Sequence, residues 1–548
     1  QNRTWRGRVR PGQETMDILA VVPIFVNAGA AILPTLVAAI TSVLVVLFKP
    51  RELLGLIRRR PLLCGLCAGV VAVAVAAAIL GLRGQRPVRE GQIQTAGAAA
   101  RYDWTQVALD LIAQGQVRQA SAAAPAPAAP PRPQGEPVAA APAPDTQDFS
   151  RCFYTGGPSP VGLRPLWSFG PEETLFLGIP AVHGNRVFAA GCQTDLGGYT
   201  GLLACLDRDT GKPIWQVTEI RGEPLRPFFS SPAVTGDGKS IVIGQGLHAD
   251  RDCSLLCFDA QTGQLRWAVK TTLHIESSPA ISGDLAVVGA GAVEGRDGRP
   301  VGDSGFCLAV RISDGKELWR VPVVDPESSP AIDGEGVVYI GSGFNGAAVV
   351  AIRTQTDEEL SAKGLERVAW RTPVAHPVTG PITLAGDVVL AGGGNSDMVH
   401  SNRNAQGLVI AMDRRTGAIL WQTPFDDAVL GGVACREGVL ICPVRTGEVA
   451  ALALKDGSVL WRTRVSGDSP VLAGCGFTGR HVYAVSNDGY LAVLDARDGK
   501  TLEKVPLNDQ SKPGTGLALS TPRIIAGRVL VGSETGGLRC LVGSEGGE

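Results

Sequence analysis

The sequence has no surplus of charge of either sign, since 51 Lys and Arg stand against 52 Asp and Glu in 548 residues. Nucleic-acid-binding proteins usually carry a basic excess, so no nucleic-acid partner is expected. The six histidines are thinly spread and lack the spacing of metal ligands, so no metal site is expected. Aromatic residues make up only 5%, whereas glycines number 70, which favours many short strands joined by tight turns.

Motifs of several enzyme classes are also missing. The chain has no H-E-x-x-H, no G-x-S-x-G and no P-loop. The stretch "GSGFNG" (341–346) matches G-x-G-x-x-G, but it lies between predicted strands and not before a helix, so a dinucleotide site is not expected. These motifs identify no catalytic residue and no cofactor.

The 12 cysteines do not form a framework. Only Cys64 and Cys67 make a C-x-x-C, and the histidine that would follow in a haem-attachment site is absent. Disulfides between Cys192 and Cys205, or between Cys435 and Cys442, are left open, because the sequence alone does not settle pairing.

Two apolar runs lie within residues 17–83. The runs at 28–48 and 62–82 are each about as long as the roughly 20 residues that a bilayer requires. The loop between them (49–61) carries five Lys and Arg against one Glu, which favours a cytoplasmic location. We therefore expect two transmembrane helices in the inner membrane of a bacterium, in contact with the lipid bilayer, and a periplasmic remainder. A cleaved signal peptide in the second run would export the remainder equally well.

Three further segments precede the main domain. Residues 1–16 are an N-terminal extension that ends at Met16, a possible true start. Residues 84–120 form a juxtamembrane segment in which "DWTQVALDLIAQG" has the apolar spacing of a short amphipathic helix. Residues 121–147 are rich in Ala and Pro, cannot build a core, and are expected to act as a semi-rigid spacer.

An eleven-residue unit, small–x–D–x–x–T–G–x–x–x–W, recurs beyond residue 148. Clear copies are "CLDRDTGKPIW" (205–215), "CFDAQTGQLRW" (257–267), "AVRISDGKELW" (309–319), "AMDRRTGAILW" (411–421) and "ALALKDGSVLW" (451–461). The Asp is expected to accept hydrogen bonds from the turn, and the Gly to supply the positive φ of a short hairpin. Two residues apart, Leu265 and Trp267 are expected to share one face of the returning strand, where the Trp covers a small residue of the neighbouring unit.

A second phrase, "SSPA" or a weaker form of it, precedes each copy. The order of strands and turns in each unit predicts four antiparallel strands, which is one blade of a propeller. Seven tryptophans are expected to dock neighbouring blades, and Glu503 takes the eighth place. They are Trp167, Trp215, Trp267, Trp319, Trp370, Trp421 and Trp461.

Closure of the ring follows from the two ends of the repeat region. Trp167 has no unit before it, and the last unit, near "CLVGSEGGE" (540–548), has no Trp strand after it. The N-terminal strand is therefore expected to complete the last blade, which leaves no exposed ring edge. The fold predicted for 148–548 is an all-β, eight-bladed propeller closed by pairing of its N- and C-terminal strands.

These repeats resemble the PQQ-type propeller repeats of quinoprotein alcohol dehydrogenases and of BamB, an outer-membrane assembly lipoprotein. The resemblance covers 148–548. It implies either a BamB-like interaction or assembly scaffold with a protein partner, which is the leading hypothesis, or a PQQ-dependent dehydrogenase. Dehydrogenases of the family hold the quinone over two adjacent cysteines, beside a Ca²⁺, and this chain has no Cys-Cys dipeptide. PQQ and Ca²⁺ are thus expected only under the second hypothesis. A third, a ligand-sensing ectodomain, is disfavoured because the loop 49–61 is too short for a signalling domain.

Five polar residues stand just before the "SSPA"-type phrases of three consecutive units. They are His274, Glu276, Asp325, Glu327 and His376. If the phrase opens the innermost strand, these residues lie near the mouth of the central channel. They form either a solvated acidic rim or a site for a cation, a ligand or a peptide. The long loops 244–253 and 392–407 are expected to add a recognition surface.

Overall fold

The computed structural model describes residues 157–170, 174–195, 198–247, 250–292, 304–509, 511 and 518–545. The predicted transmembrane helices (17–83), the juxtamembrane segment (84–120) and the Ala/Pro-rich spacer (121–147) lie outside these residues. In the described part, none of the helices has the length and hydrophobicity of a membrane span.

Eight antiparallel sheets, the blades, contain nearly all of the strands, and the first strand, β1 (Pro160–Phe169), belongs to the last blade. Blade 1 comprises β2 (Thr174–Leu175), β3 (Ala181–His183), β4 (Arg186–Asp195), β5 (Gly198–Asp207) and β6 (Pro213–Val217), and is followed by a hairpin, β7 (Glu219–Ile220) and β8 (Glu223–Pro224). Blade 2 comprises β9 (Ala233–Val234), β10 (Ser240–Gly244), β11 (Ser254–Asp259) and β12 (Leu265–Lys270). Blade 3 comprises β13 (Ala280–Ser282), β14 (Leu285–Ala290), β15 (Phe306–Arg311) and β16 (Glu317–Pro322).

The other blades repeat this order. Blade 4 comprises β17 (Ala331–Ile332), β18 (Val337–Ser342), β19 (Ala348–Arg353) and β20 (Val368–Pro373), with a helix, α1 (Asp357–Ala362), between the last two. Blade 5 comprises β21 (Thr383–Ala385), β22 (Val388–Gly394), β23 (Gly407–Asp413) and β24 (Ile419–Phe425). Blade 6 comprises β25 (Ala434–Arg436), β26 (Val439–Val444), β27 (Glu448–Ala453) and β28 (Val459–Arg464). Blade 7 comprises β29 (Gly476–Phe477), β30 (His481–Ser486), β31 (Tyr490–Asp495) and β32 (Thr501–Pro506). Blade 8 comprises β33 (Arg523–Ile525), β34 (Arg528–Gly532), β35 (Leu538–Glu545) and β1.

Ring closure follows the prediction. Strand β1 pairs antiparallel with β35, and Trp167 lies opposite Cys540 in the register. The outer strand of the last blade thus comes from the start of the repeat region, and hydrogen bonds rather than a covalent turn seal the circle. The eight-bladed, all-β architecture expected for this region is confirmed.

Each clear copy of the eleven-residue unit docks one blade on the next. Asp207 Oδ1 accepts hydrogen bonds from the amides of Asp209 (3.1 Å) and Thr210 (2.8 Å), which fixes the turn as expected. In the outer strands the indole Nε1 donates to a turn carbonyl of the following blade: Trp167 to Arg208 (2.9 Å), Trp215 to Ala260 (3.2 Å), Trp267 to Ile312 (2.6 Å), Trp370 to Arg414 (3.0 Å), Trp421 to Leu454 (2.8 Å) and Trp461 to Ala496 (2.9 Å). The glycine of that turn lies beneath the indole, so the motif Gly is required both by its positive φ and by its missing side chain.

One detail of the motif was predicted wrongly. Leu265 and Trp267 do not share a face of β12, because a β-bulge at Arg266 interrupts the register. Trp267 packs between blades 2 and 3, whereas Leu265 packs against the core shared with blade 1. The extra residue flips the alternation, so the apolar residues before and after the bulge serve opposite blade interfaces.

Trp319 departs from the pattern because the turn that it faces is expanded. Its indole Nε1 is buried and has no hydrogen-bond acceptor among the described residues. In blade 4, α1 replaces the short turn, with Thr356 as the N-cap of a capping box with Glu359. The Arg367 guanidinium lies 5.5 Å from the centre of the Trp319 ring and supplies a cation–π contact instead.

Glu503 replaces the tryptophan at the one interface where no turn exists to receive it. Blade 8 has no hairpin before its outer strand, since that strand is β1. Both carboxylate oxygens of Glu503 accept a hydrogen bond from the backbone amide of Leu163, at 3.3 and 3.1 Å. The degenerate repeat is therefore adapted to the seam of the ring.

The "SSPA" phrases form a continuous belt around the channel. The belt consists of the residue three positions before each inner strand: Gly178, Ser230, Ser277, Ser328, Gly380, Gly431, Ala473 and Ser520. Where it is a serine, its hydroxyl can bond to the next blade: Ser277 Oγ donates to Ser328 O (2.9 Å), and Ser520 Oγ donates to Gly178 O (2.9 Å). Where it is Gly431, a Cβ would lie 2.5 Å from the backbone of Ala473, so the close approach requires glycine. These contacts fix the spacing of the inner strands.

The nine cysteines of the described region are all free thiols, and all are buried. Cys192 lies opposite Gly201 and Cys435 opposite Leu440, so neither the Cys192–Cys205 nor the Cys435–Cys442 disulfide forms. Burial raises the pKa to about 12 for Cys192, Cys253, Cys257, Cys435, Cys475 and Cys540.

These thiols are expected to be nearly inert in the folded protein. A pKa of about 12 in place of 9.0 leaves about a thousandfold less thiolate at pH 8, and thiolate is the reactive species. Maleimide labelling at pH 8 followed by peptide mass mapping should leave the nine sites unmodified, whereas the same labelling in urea should modify all of them. A described cysteine that reacts as fast in the folded protein as in urea would contradict its burial.

Candidate functional site

The connections between strands divide the propeller into two faces. Because the strands are antiparallel, linkers from an outer strand to the next inner strand lie on the same side as loops between second and third strands. We call this side the linker face. It is formed by linkers such as 271–279, 323–330, 374–382 and 426–433, and by loops such as 343–347, 395–406 and 445–447. The opposite side, the turn face, carries the D-x-x-T-G turns. The two long loops singled out in the sequence therefore lie on the same face as the five candidate residues.

A ring of eight side chains marks the centre of the linker face. This mouth ring consists of the residue immediately before each belt residue: Leu177, Phe229, Glu276, Glu327, Thr379, Leu430, Leu472 and Leu519. Five positions are apolar, and the two carboxylates stand in neighbouring blades 3 and 4. The mouth ring is thus divided into an apolar arc and an acidic sector.

The apolar arc is packed. Leu430 and Leu472 are 4% and 3% exposed and form one cluster with Ala428, against which Met398 and Leu519 pack. These residues come from consecutive linkers and from the loop 395–406. The apolar side of the mouth is therefore filled by side chains from blades 5 to 8.

The acidic sector is partly buried and does not form a solvated rim. His274 and Asp325 are 1% and 0% exposed, and Glu276 is 6% exposed. His274 Nε2 lies 3.8 Å from Glu327 Oε1, so side chains of two consecutive linkers approach each other. Asp325 Oδ2 accepts a hydrogen bond of 2.8 Å from the amide of Phe344. Polar groups held this far from water need partners, and these residues give the mouth a polar side that carries the carboxyl groups.

Glycines set the positions of His274 and Asp325. The amide of Gly291 donates to His274 O at 3.0 Å, and the amide of Gly343 donates to Asp325 O at 2.9 Å. A Cβ on Gly291 would lie 2.4 Å from the His274 ring, and one on Gly343 would lie 2.4 Å from the Asp325 carboxylate. A side chain at Gly291 or Gly343 would therefore occupy the space that the side chain of His274 or Asp325 fills.

His376 is not part of this arrangement. It precedes its belt residue, Gly380, by four positions, whereas His274 precedes Ser277 by three, so the two histidines are not equivalent in their repeats. No hydrogen bond or ion pair within the described part of the chain joins His376 to the other four candidates. The two linkers have the same length, 271–279 and 374–382, so His376 simply occupies the position one residue earlier than that of His274.

The sequence did not indicate a second charged pair on the linker face. Arg445 and Asp427 are 8% and 7% exposed and lie 3.5 Å apart. Arg445 Nε donates to Asp397 O (2.8 Å), and Asp427 Oδ2 accepts from Ser401 Oγ (2.7 Å). Burial lowers the pKa of Arg445 from its usual value, although the neighbouring carboxylates oppose this effect. This network holds the loop 395–406 against blade 6. No repeat pattern marks these residues, since they occur once.

Other proposed chemistry has little support in the described residues. The "GSGFNG" stretch lies between the antiparallel strands β18 and β19, not before a helix. Within the described ranges, no three His, Cys, Asp or Glu side chains come together in a way that would hold a metal ion.

Comparison with known proteins agrees with this architecture. The family model described as outer membrane protein assembly factor BamB matches residues 164–403 and 405–548. A relative of that name from Burkholderia pseudomallei is 25% identical over 386 residues, covering 58% of this chain and 86% of the relative. A quinohemoprotein alcohol dehydrogenase from Pseudomonas putida is 35% identical over 208 residues, covering 38% of this chain and 28% of the relative. The crystal structure of BamB from Moraxella catarrhalis is 16% identical with a TM-score of 0.50, covering 71% of this chain and all of that one, which supports the fold. The chain therefore belongs to the PQQ-type repeat family described as outer membrane protein assembly factor BamB.

Proposed function

We propose that this propeller is a protein-interaction scaffold whose linker face binds a segment of a partner protein. The observation that carries the proposal is the divided mouth ring, where Glu276 and Glu327 stand beside an apolar arc. A basic side chain flanked by apolar residues complements such a surface in charge and in hydrophobicity. Similarity to relatives named as assembly factors supports a binding role over a catalytic one.

The loops around the mouth favour recognition at one sector of the ring. Blade 5 carries the long loop 395–406, whereas blades 4 and 6 carry the short loops 343–347 and 445–447. A segment that crosses the short loop of blade 4 would reach Glu327 with the loop 395–406 on the side of blade 5. Surface loops on a rigid scaffold are the usual carriers of binding specificity.

We further infer that the propeller (148–548), called the head below, lies outside the cytoplasm and is attached to the inner membrane through residues 17–83. The two apolar runs and the basic loop between them support this placement. Extended at about 3.1 Å per residue, residues 121–145 of the Ala/Pro-rich spacer would let the propeller reach a partner up to about 75 Å away.

Neutralising the two glutamates is expected to weaken partner capture by about tenfold or more. Each removed charge-assisted contact is worth about 1.5–3 kcal/mol, so Glu276→Gln with Glu327→Gln should affect binding more than any exposed charge. The measurement is affinity purification from solubilised membranes of the producing bacterium, with captured proteins quantified by mass spectrometry. The matched control is Glu358→Gln with Glu366→Gln, two exposed glutamates on the turn-face side of blade 4. Equal capture by both double variants would refute the assignment of the linker face.

A quinone-dependent dehydrogenase is the alternative, favoured by the 35% identity to the Pseudomonas putida enzyme over 208 residues. Two observations count against that chemistry. The sequence has no adjacent cysteines, and no metal-holding group occurs in the part of the chain that the structure describes. Assay of the purified protein with PQQ, Ca²⁺ and a dye acceptor separates the two functions, because only the enzyme would reduce the dye.

A further inference from the structure

The seam of the ring is held differently from every other blade interface. Elsewhere, a side chain at the start of a second strand can donate to a turn carbonyl of the next blade, as Arg186 does to Ala260 O at 2.9 Å. Blade 8 has no such turn, because its outer strand is β1. Here Tyr483 OH donates to Pro160 O at 2.8 Å. The residues that lead into β1 thus take the place of the missing turn.

Ser159 is the centre of this joint. Its hydroxyl contacts Thr478 Oγ1 and lies 2.8 Å from His481 Nδ1. The same ring nitrogen lies 3.2 Å from Ser159 O. More than 300 residues of sequence separate the two sides, so these bonds fasten the lead-in of β1 to blade 7 without any local connection.

We propose that His481 makes this joint a pH-sensitive latch, which holds the start of β1 when the imidazole is neutral and releases it when the imidazole is protonated. The imidazole is 5% exposed, so a charged ring would lose hydration that the open joint restores. Because residues upstream of Pro160 continue from this joint, its opening would loosen the connection between the head and the rest of the chain.

The surrounding charges act in both directions. Burial lowers the pKa of His481 below its usual 6.5, and Arg480 lowers it further, whereas the Ser159 carbonyl and the carboxylates of Asp495 and Glu503 raise it. The net shift is downward. The open joint therefore binds a proton more readily than the closed one, and the latch weakens as the pH falls below 6.5. Above that pH the imidazole is neutral in both states, and no dependence is expected.

Hydrogen exchange of the full chain in mild detergent tests the latch. Protection of the β1 amides (Pro160–Phe169), corrected for intrinsic rates, is expected to fall by up to about tenfold per pH unit below 6.5. Protection of β24 (Ile419–Phe425), an outer strand with a covalent turn, should stay constant. Exchange at the histidine C2 positions reports the titration of His481 in the same samples, and the loss of β1 protection should level off near its midpoint, because below that pH the imidazole is protonated in both the closed and the open joint.

Two variants distinguish the latch from a general loss of stability. His481→Gln is expected to remove the pH dependence of β1, because the amide retains a hydrogen-bonding group without titrating. His400→Gln, at a histidine whose side chain is 45% exposed in the loop 395–406, should keep the wild-type profile. If β1 protection is flat with pH in the wild type, or falls equally in His481→Gln, the proposal is wrong. Should His481→Gln fail to fold, the wild-type profile remains decisive, since β1 protection that keeps falling below the His481 midpoint, or that is lost only below it, overturns the latch.

Discussion

Replacing Trp167 by alanine is expected to destabilise the head by about 3–5 kcal/mol and to free the strand that carries it. The indole is 9% exposed and packs in the core shared by blades 8 and 1. Truncating a buried tryptophan usually costs this much, and the hydrogen bond from Nε1 to Arg208 O is lost as well. Urea unfolding, followed by tryptophan fluorescence, measures the loss.

The matched variant is Trp461→Ala, which removes an indole with the same contact, from Nε1 to Ala496 O at 2.9 Å. Its strand, β28, is joined to β27 by a short turn, whereas β1 has no covalent partner in its blade. Both variants should lose stability, but only Trp167→Ala should gain protease sensitivity within 157–170. Equal protease sensitivity of β1 and β28 in the two variants would mean that the pairing of β1 with β35 is no weaker than that of two strands joined by a turn.

Substituting alanine for Gly457 is expected to lower the free energy of unfolding by about 2–4 kcal/mol. Two effects add at this turn: the backbone has φ of +72°, and a Cβ would lie 2.5 Å from the Trp421 ring. Positive φ alone costs an alanine about 1 kcal/mol, and a forced shift of a packed ring adds about 1–3 kcal/mol. Thermal unfolding of the variant and the wild type gives the difference.

Gly438 provides the control, because it lies in a turn of the same blade with φ of +76° and has nothing within 4 Å of a Cβ. Gly438→Ala should therefore cost only about 1 kcal/mol. Combining Gly457→Ala with Trp421→Ala should recover part of the clash, and the double-mutant cycle measures that coupling. If Gly457→Ala and Gly438→Ala lower the free energy of unfolding equally, the docked indole does not explain why glycine recurs at this position of the motif.

The sequence was sufficient for the parts of the structure that repeat. Five clear copies of one motif locate turns and outer strands, and the unmatched Trp167 indicates the pairing of the first strand with the last blade, where it lies opposite Cys540. The same regularity placed Glu276 and Glu327 at equivalent positions of neighbouring linkers. Repetition makes such inferences reliable because each copy must satisfy the same packing.

Features that occur once could not be read in the same way. The bulge at Arg266 reverses the face of Leu265, yet nothing in "GQLRW" distinguishes a bulged strand from a regular one. Arg445 and Asp427 form their buried pair across two blades, and neither has a counterpart in other repeats. His376 was grouped with His274 because the sequence does not show how many residues must separate such a side chain from its belt residue.

In blade 8, the register of β1 against β35 places Pro160 opposite Glu545. The two ends of the described ring therefore lie side by side. The blade in which the chain starts and ends is set by the order of the repeats in the sequence and not by the packing of the blades. A circular permutant with these ends joined by a short linker and reopened in another exposed loop would retain every blade interface. In such a protein the seam would close covalently, and the adaptations at Glu503 and His481 would lose their purpose.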